Sequence, residues 1–170
     1  MGRNSTYQYY VEGDDEKHLI NILKKDLRCI VSGKVDKFNA VQQTFTTARI
    51  RPLKQGTIIV LVYDTDIENV DILEKNIRFL NKQSTVKALL CIPQCSKLED
   101  ELEAACGNVT KALEITHSKG NKNFKRDLIN CTNLGNRLTE CAFDICRFWS
   151  KVPKNQFAQF GNDAERIKIK

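Results

Sequence analysis

The stretch Tyr9-Tyr10-Val11-Glu12-Gly13-Asp14-Asp15-Glu16 decides how this chain is read. A short apolar run, Tyr7 to Val11, ends in a Glu-Gly step. Apolar residues then recur at helical spacing in Leu19, Ile20, Leu23 and Leu27. That pattern predicts strand, tight turn, helix. It leaves the Glu12 carboxylate at the carboxyl end of the strand, where open parallel α/β sheets bind their ligands. Further on, Thr57-Ile58-Ile59-Val60-Leu61-Val62-Tyr63-Asp64-Thr65-Asp66 repeats the signal. Its nearly unbroken apolar run suits a central parallel strand covered on both faces. It ends in two aspartates one residue apart. Three carboxylates at two strand ends make a site for a hard divalent cation, which takes oxygen ligands.

Working outward, Ser32-Gly33 reads as a turn and Val35 to Val41 as a second strand. Val86 to Ile92 reads as a fourth strand, ended by Pro93. Helices are expected over Glu16–Leu27, Thr44–Leu53, Val70–Leu80 and Lys97–Cys106. This alternation predicts an α/β fold: a four-stranded parallel sheet with helices on both faces. An ion shared by Glu12 and Asp64 needs their strands to be neighbours, which predicts the order 2-1-3-4. Residues 5–107 are then the core, and 108–150 a C-terminal helical extension packed on it. The longest helix of that extension is expected over Leu134–Trp149. Residues 151–170 form a tail that docks on the domain or in a partner.

Strand-Glu-Gly-x-x-Glu-helix followed by strand-Asp-x-Asp resembles the Toprim domain of topoisomerases, primases, OLD-family nucleases and RloB-like proteins. Glu12 matches the family's glutamate, and Asp64 and Asp66 match its Asp-x-Asp pair. The form Tyr-Val-Glu-Gly-x-x-Glu is most similar to the OLD and RloB-like branch. Ile67-Glu68-Asn69 stands where many members have a glycine shortly after the second aspartate. The resemblance covers residues 5 to 105. It implies a Toprim-like Rossmannoid core whose cofactor is Mg2+ or Mn2+. It also implies a further acidic ligand on the helix after strand four. Glu99 is the first choice and Glu101 the reserve; an acidic first turn satisfying the helix dipole is the competing explanation.

With 170 residues the chain is long enough for a real core. Its net charge of +6 permits contact with a polyanion but equally fits a lysine-rich solvated surface. Lys119, Lys122, Lys125 and Arg126, around Gly120, form the best local candidate for a phosphate-contacting patch. Arg49, Arg51 and Lys54 fit a solvated face better than a nucleic-acid contact. Glu16 fits a solvated helix position, and His18 a surface one.

Nothing secretory accompanies the seven cysteines, and no apolar run is long enough to span a bilayer. A cytoplasmic protein with reduced thiols is expected, without membrane contact. There is no Gly-x-x-x-x-Gly-Lys-Ser/Thr loop and no Gly-x-Gly-x-x-Gly, so nucleotide binding by those routes is unsupported. The cysteine spacings lack the usual zinc pattern.

Two functions are therefore expected in competition. One is a metal-dependent phosphodiesterase acting on DNA or RNA, in phage defence or RNA processing, beside a separately encoded ATPase. The other is a non-catalytic Toprim-like module that binds nucleic acid or a partner protein.

Overall fold

The computed structural model describes residues 5–107 and 111–169. Four strands, β1 (Tyr7–Val11), β2 (Lys34–Lys37), β3 (Thr57–Asp64) and β4 (Val86–Gln94), form one sheet. All pairs are parallel, and the order is β2-β1-β3-β4, as expected. Tyr10 lies opposite Leu61 in the β1–β3 ladder, so Glu12 and Asp64 leave the sheet side by side. Every residue of β3 is buried, the signature of a strand with helices on both faces.

The pleat of the strands sorts the core into two layers. Tyr9, Val11, Val60 and Val62 face Leu19, Ile20 and Leu23 of α1 (Asp14–Lys25). Tyr10, Ile59, Leu61 and Tyr63 face Leu73 and Leu80 of α3 (Asp71–Asn81) and Ile50 of the short α2 (Thr47–Ile50). The first layer also takes α4 (Leu98–Ala105), α5 (Ala112–Thr116), α6 (Asn121–Asn130) and α7 (Leu134–Glu140). The first residues of the expected helical extension, 108–110, lie outside the described residues.

Four elements differ from expectation. The fourth strand does not end before Pro93 but runs through it to Gln94, since an edge strand tolerates the missing N–H. The second strand stops at Lys37, because β1, its only neighbour, pairs no further than Val11. Phe38, Ala40 and Val41 then turn into the second layer. Thr44–Leu53 shrinks to the single turn of α2. The helix expected over Leu134–Trp149 ends at Glu140. Ala142 adopts φ 53°, its amide donates to the Thr139 carbonyl, and the Phe143 amide donates to the Leu138 carbonyl. Those two bonds are the Schellman closure of a helix, here without the usual glycine. Phe143 is drawn away to bridge Cys106 and to pack on Phe148 at 5.4 Å.

The tail docks on the domain. Phe157 is fully buried in the second layer, with its ring 5.7 Å from that of Tyr63. The Cys91 amide donates to the Asp163 carboxylate, and the Asp163 amide donates to the Cys91 carbonyl, which occupies the free edge of β4. Ile167 is buried in the first layer, and Lys168 bridges Ile30. Phe157→Ala should therefore destabilise the whole domain by about 3–5 kcal/mol, read by denaturant unfolding. A loss under about 1 kcal/mol would mean the tail is only adsorbed on the surface.

Candidate active site at the carboxyl edge of the sheet

The Glu-Gly step has a steric reason. Gly13 follows β1 in an extended conformation, and its amide donates to Glu16 Oε2 at 2.9 Å. A Cβ at Gly13 would lie 2.5 Å from Asp15 Oδ1 and 3.0 Å from Glu16 Oε2. The first turn of α1 thus folds two carboxyl groups back over the strand end, and a side chain at Gly13 would push the Asp15 carboxylate aside. Both are buried, Asp15 at 3% and Glu16 at 2% exposure, which corrects the solvated placement expected for Glu16.

Glu12 is half-buried and accepts a hydrogen bond from the Asp64 backbone amide. Asp64 is buried, and Gln94 Nε2 donates to its Oδ1 at 2.5 Å. Asp66 is exposed, two residues on. Burial, reinforced by the charge of Glu12, pushes the Asp64 carboxyl up to about 7. Burial also raises Glu12, with Asp66 and Asp15 adding to the shift while Lys125 opposes it. Glu16 is raised by burial and by its hydrogen bond to Asp15.

Lys125 of α6 answers this negative charge from outside the sheet. Its ammonium lies 3.6 Å from Asp15 Oδ2. Its own burial would lower its pKa, but Asp15, Glu16, Glu99 and Asp64 raise it on balance. The basic patch expected to contact phosphate is therefore divided in role. Lys125 faces the carboxylates, whereas Arg126 pairs with Asp127 at 3.1 Å and shares a cavity with Lys119. Lys122 is exposed on α6. Of the two acidic candidates on α4, Glu101 is committed elsewhere. It is fully buried and accepts the amides of Cys95 at 2.8 Å and Trp149 at 3.0 Å. Glu99 faces Lys125 and is half-buried.

Glu12 and Gly13 also line a polar cavity of about 490 Å³ with Lys37 and Arg49. Cations thus stand beside the carboxylates on the β2 side. Arg49, expected on a solvated face, lies 4.6 Å over the Phe38 ring in a cation–π contact. His18 points away from the cluster, with Nε2 3.1 Å from the Cys131 carbonyl.

The donor set suits a hard divalent ion in kind: carboxylate oxygens only, gathered where negative charge is in excess. Asp15 Oδ2 is buried and has no hydrogen-bond partner among the described residues. In arrangement the set is incomplete. Among the described residues, no three His, Cys, Asp or Glu side chains are placed to grip one ion together. Glu12 is half-buried and Asp66 is exposed to solvent. All seven cysteines are free thiols, with Cys91, Cys106 and Cys131 buried.

Gln94, Asp15 and Lys125 were not assigned these roles from sequence. Gln94 carried one overlooked signal, as a polar residue directly after an apolar strand. The proline before it masked that, but Pro93 belongs to β4, an edge strand where a missing N–H is tolerated.

The class defined by these features is an all-parallel α/β domain with an acidic cluster at the carboxyl ends of its central strands. No protein-family model, curated protein or solved structure matches the chain. Among the described residues, no helix is long and apolar enough to cross a membrane.

Folded Asp64 holds its proton more tightly than the unfolded residue does, so its ionisation removes stability as pH rises from the ordinary value of 3.8 to about 7. Asp64→Asn should therefore raise the melting temperature at pH 8 in the absence of metal and leave it nearly unchanged at pH 4. Equal effects at both pH values would contradict the buried-charge account. Lys125→Met should act in the opposite direction and lower the metal-free melting temperature at pH 8 by a few degrees. An unchanged melt would show that solvent, not Lys125, balances the cluster.

Proposed function

We propose that this protein is a magnesium- or manganese-dependent phosphodiesterase acting on DNA or RNA, similar in its site to Toprim nucleases of the OLD and RloB-like kind. One observation carries the reading. Glu12 and Asp64 leave neighbouring parallel strands side by side, with Asp66 two residues on, and Lys125 is the cation nearest the buried part of that charge. Uncompensated carboxylates repel one another, and a divalent ion is the strongest remedy.

Glu12, Asp64 and Asp66 would hold the ion, with Glu99 approaching from α4. A bound ion would polarise the phosphate and lower the pKa of an attached water. The other contributions come from the chain. Gln94 holds one oxygen of Asp64 and so orients the carboxylate. Asp64 must be ionised to act as a ligand, so metal binding releases its proton and strengthens as pH rises through about 7. Lys125 offers an ammonium that can pass from the carboxylates to a substrate phosphate. Lys37 and Arg49 receive the strand on one side of Glu12. Lys119 before α6, and Lys122 and Arg126 on it, extend positive charge along this side. The free thiols are consistent with a cytoplasmic setting. Phage defence or RNA processing, beside a separately encoded ATPase, is the role this reading implies.

That no ligand group is preformed among the described residues favours one competitor, a non-catalytic module that binds nucleic acid with Lys125 as its permanent counter-charge.

Thermal melting with millimolar magnesium or manganese separates the two. The wild-type transition should rise with metal, by about 2.7 kcal/mol of added stability at a hundredfold excess over Kd. Asp64→Asn and Asp66→Asn should lose that response and any metal-dependent cleavage of single- or double-stranded DNA and RNA. A wild-type melt indifferent to both ions removes the enzyme reading. Oligonucleotide binding without metal response or cleavage would establish the binding module.

A further inference from the structure

Beyond Asp64 the chain enters a second groove, on the opposite side of the carboxylates from Lys37 and Arg49. This cavity of about 610 Å³ is lined by Thr65, Cys95 and Ser96 at the ends of β3 and β4, and by residues 151–155 of the tail. Those tail residues form a strap with fixed ends. Trp149 turns the chain with φ 54°, and Asn162 Nδ2 donates to the carbonyls of Trp149 and Lys151, both at 2.8 Å. Pro153 is buried. Asn155 Nδ2 donates at 3.0 Å to the carbonyl of Thr65, the residue between the two aspartates. The strap is thus bonded directly to the Asp-x-Asp turn.

Between these anchors, Lys151, Val152 and Lys154 are exposed, Val152 at 60%. Lys151 lies in the field of Glu101, but that carboxylate already accepts two backbone amides. Lys154 sits on the same wall of the groove. A polyanion reaching the carboxylates gains affinity from cations on either side of them. The β2 side offers Arg49 and Lys37, the latter paired with Asp14 at 2.8 Å, and the strap is the matching feature on the β4 side.

We infer that the 151–155 strap is a phosphate-binding subsite. It takes the backbone of a single nucleic-acid strand beside the bond held at Glu12, Asp64 and Asp66. Lys151 and Lys154 each neutralise one phosphate, and Val152 lies against the sugar or base between them. The inference rests on the nuclease reading for its substrate, and it adds the direction in which the strand leaves the site.

The test is fluorescence anisotropy of a labelled single-stranded DNA and RNA oligonucleotide in millimolar calcium, over a salt series. The proteins are wild type, Lys151→Gln/Lys154→Gln, and a charge-matched control, Lys82→Gln/Lys87→Gln, at the opposite end of the sheet. Neutralising a single-strand phosphate contributes about 0.7 to the slope of log affinity against log salt. The strap variant should therefore bind with a slope shallower by about 1.4, and the control with the wild-type slope. Val152→Lys should steepen the slope by about 0.7, a gain that misfolding cannot produce. A strap variant indistinguishable from wild type, or from the control, overturns the subsite and leaves the metal-site reading standing. A wild-type protein that binds neither oligonucleotide overturns both.

Discussion

The structure depends on a buried negative charge at the end of its most protected strand. β3 is buried along its whole length, and its last residue is an aspartate. A carboxylate in that position loses hydration and gains the repulsion of Glu12 beside it, so its proton is held up to about 7. Several features around it are answers to that cost. Gln94 donates a hydrogen bond to it, and Lys125 reaches in from α6. Glu16 and Asp15 share a hydrogen bond rather than two full charges.

The region after β4 reads differently in this light. α5, α6 and α7 close the first apolar layer, and α6 also brings the exposed Lys125 ammonium to 3.6 Å from the buried Asp15 carboxylate. The tail likewise covers the edge of β4 and seals both layers. Glu101 and Gln94 join these parts to the site. Glu101 fastens Trp149 to the β4–α4 turn, and Trp149 Nε1 points at Gln94 Oε1 at 3.4 Å. Packing of the tail and orientation of Asp64 are therefore one connected network, and damage to either is expected to reach the other.

Much of this was legible in the residues themselves. Strand type, sheet order and the pairing of Glu12 with Asp64 all came from two apolar runs that end in acid. Period-two and continuous apolar patterns are set by local side-chain direction, which survives without tertiary information. The misread elements were those whose ends depend on a distant partner. β2 stops where β1 has no more backbone to offer it. α7 stops where Ala142 turns left-handed and Phe143 bridges Cys106 and packs on Phe148.

At the site, the chain alone determined which acids lie at strand ends and that their charge would need compensation. It could not determine what compensates it. No lysine or arginine lies within five residues of Asp64, and the one that answers comes from Lys125, in a helix far along the chain. Nor could it distinguish the buried Glu16 from a solvated one, or the anchoring Glu101 from Glu99, since all occupy acidic first turns of helices. Helical periodicity says which face a residue takes. Only the packed fold says what that face meets, because desolvation and Coulomb energy depend on distances through space and not along the sequence.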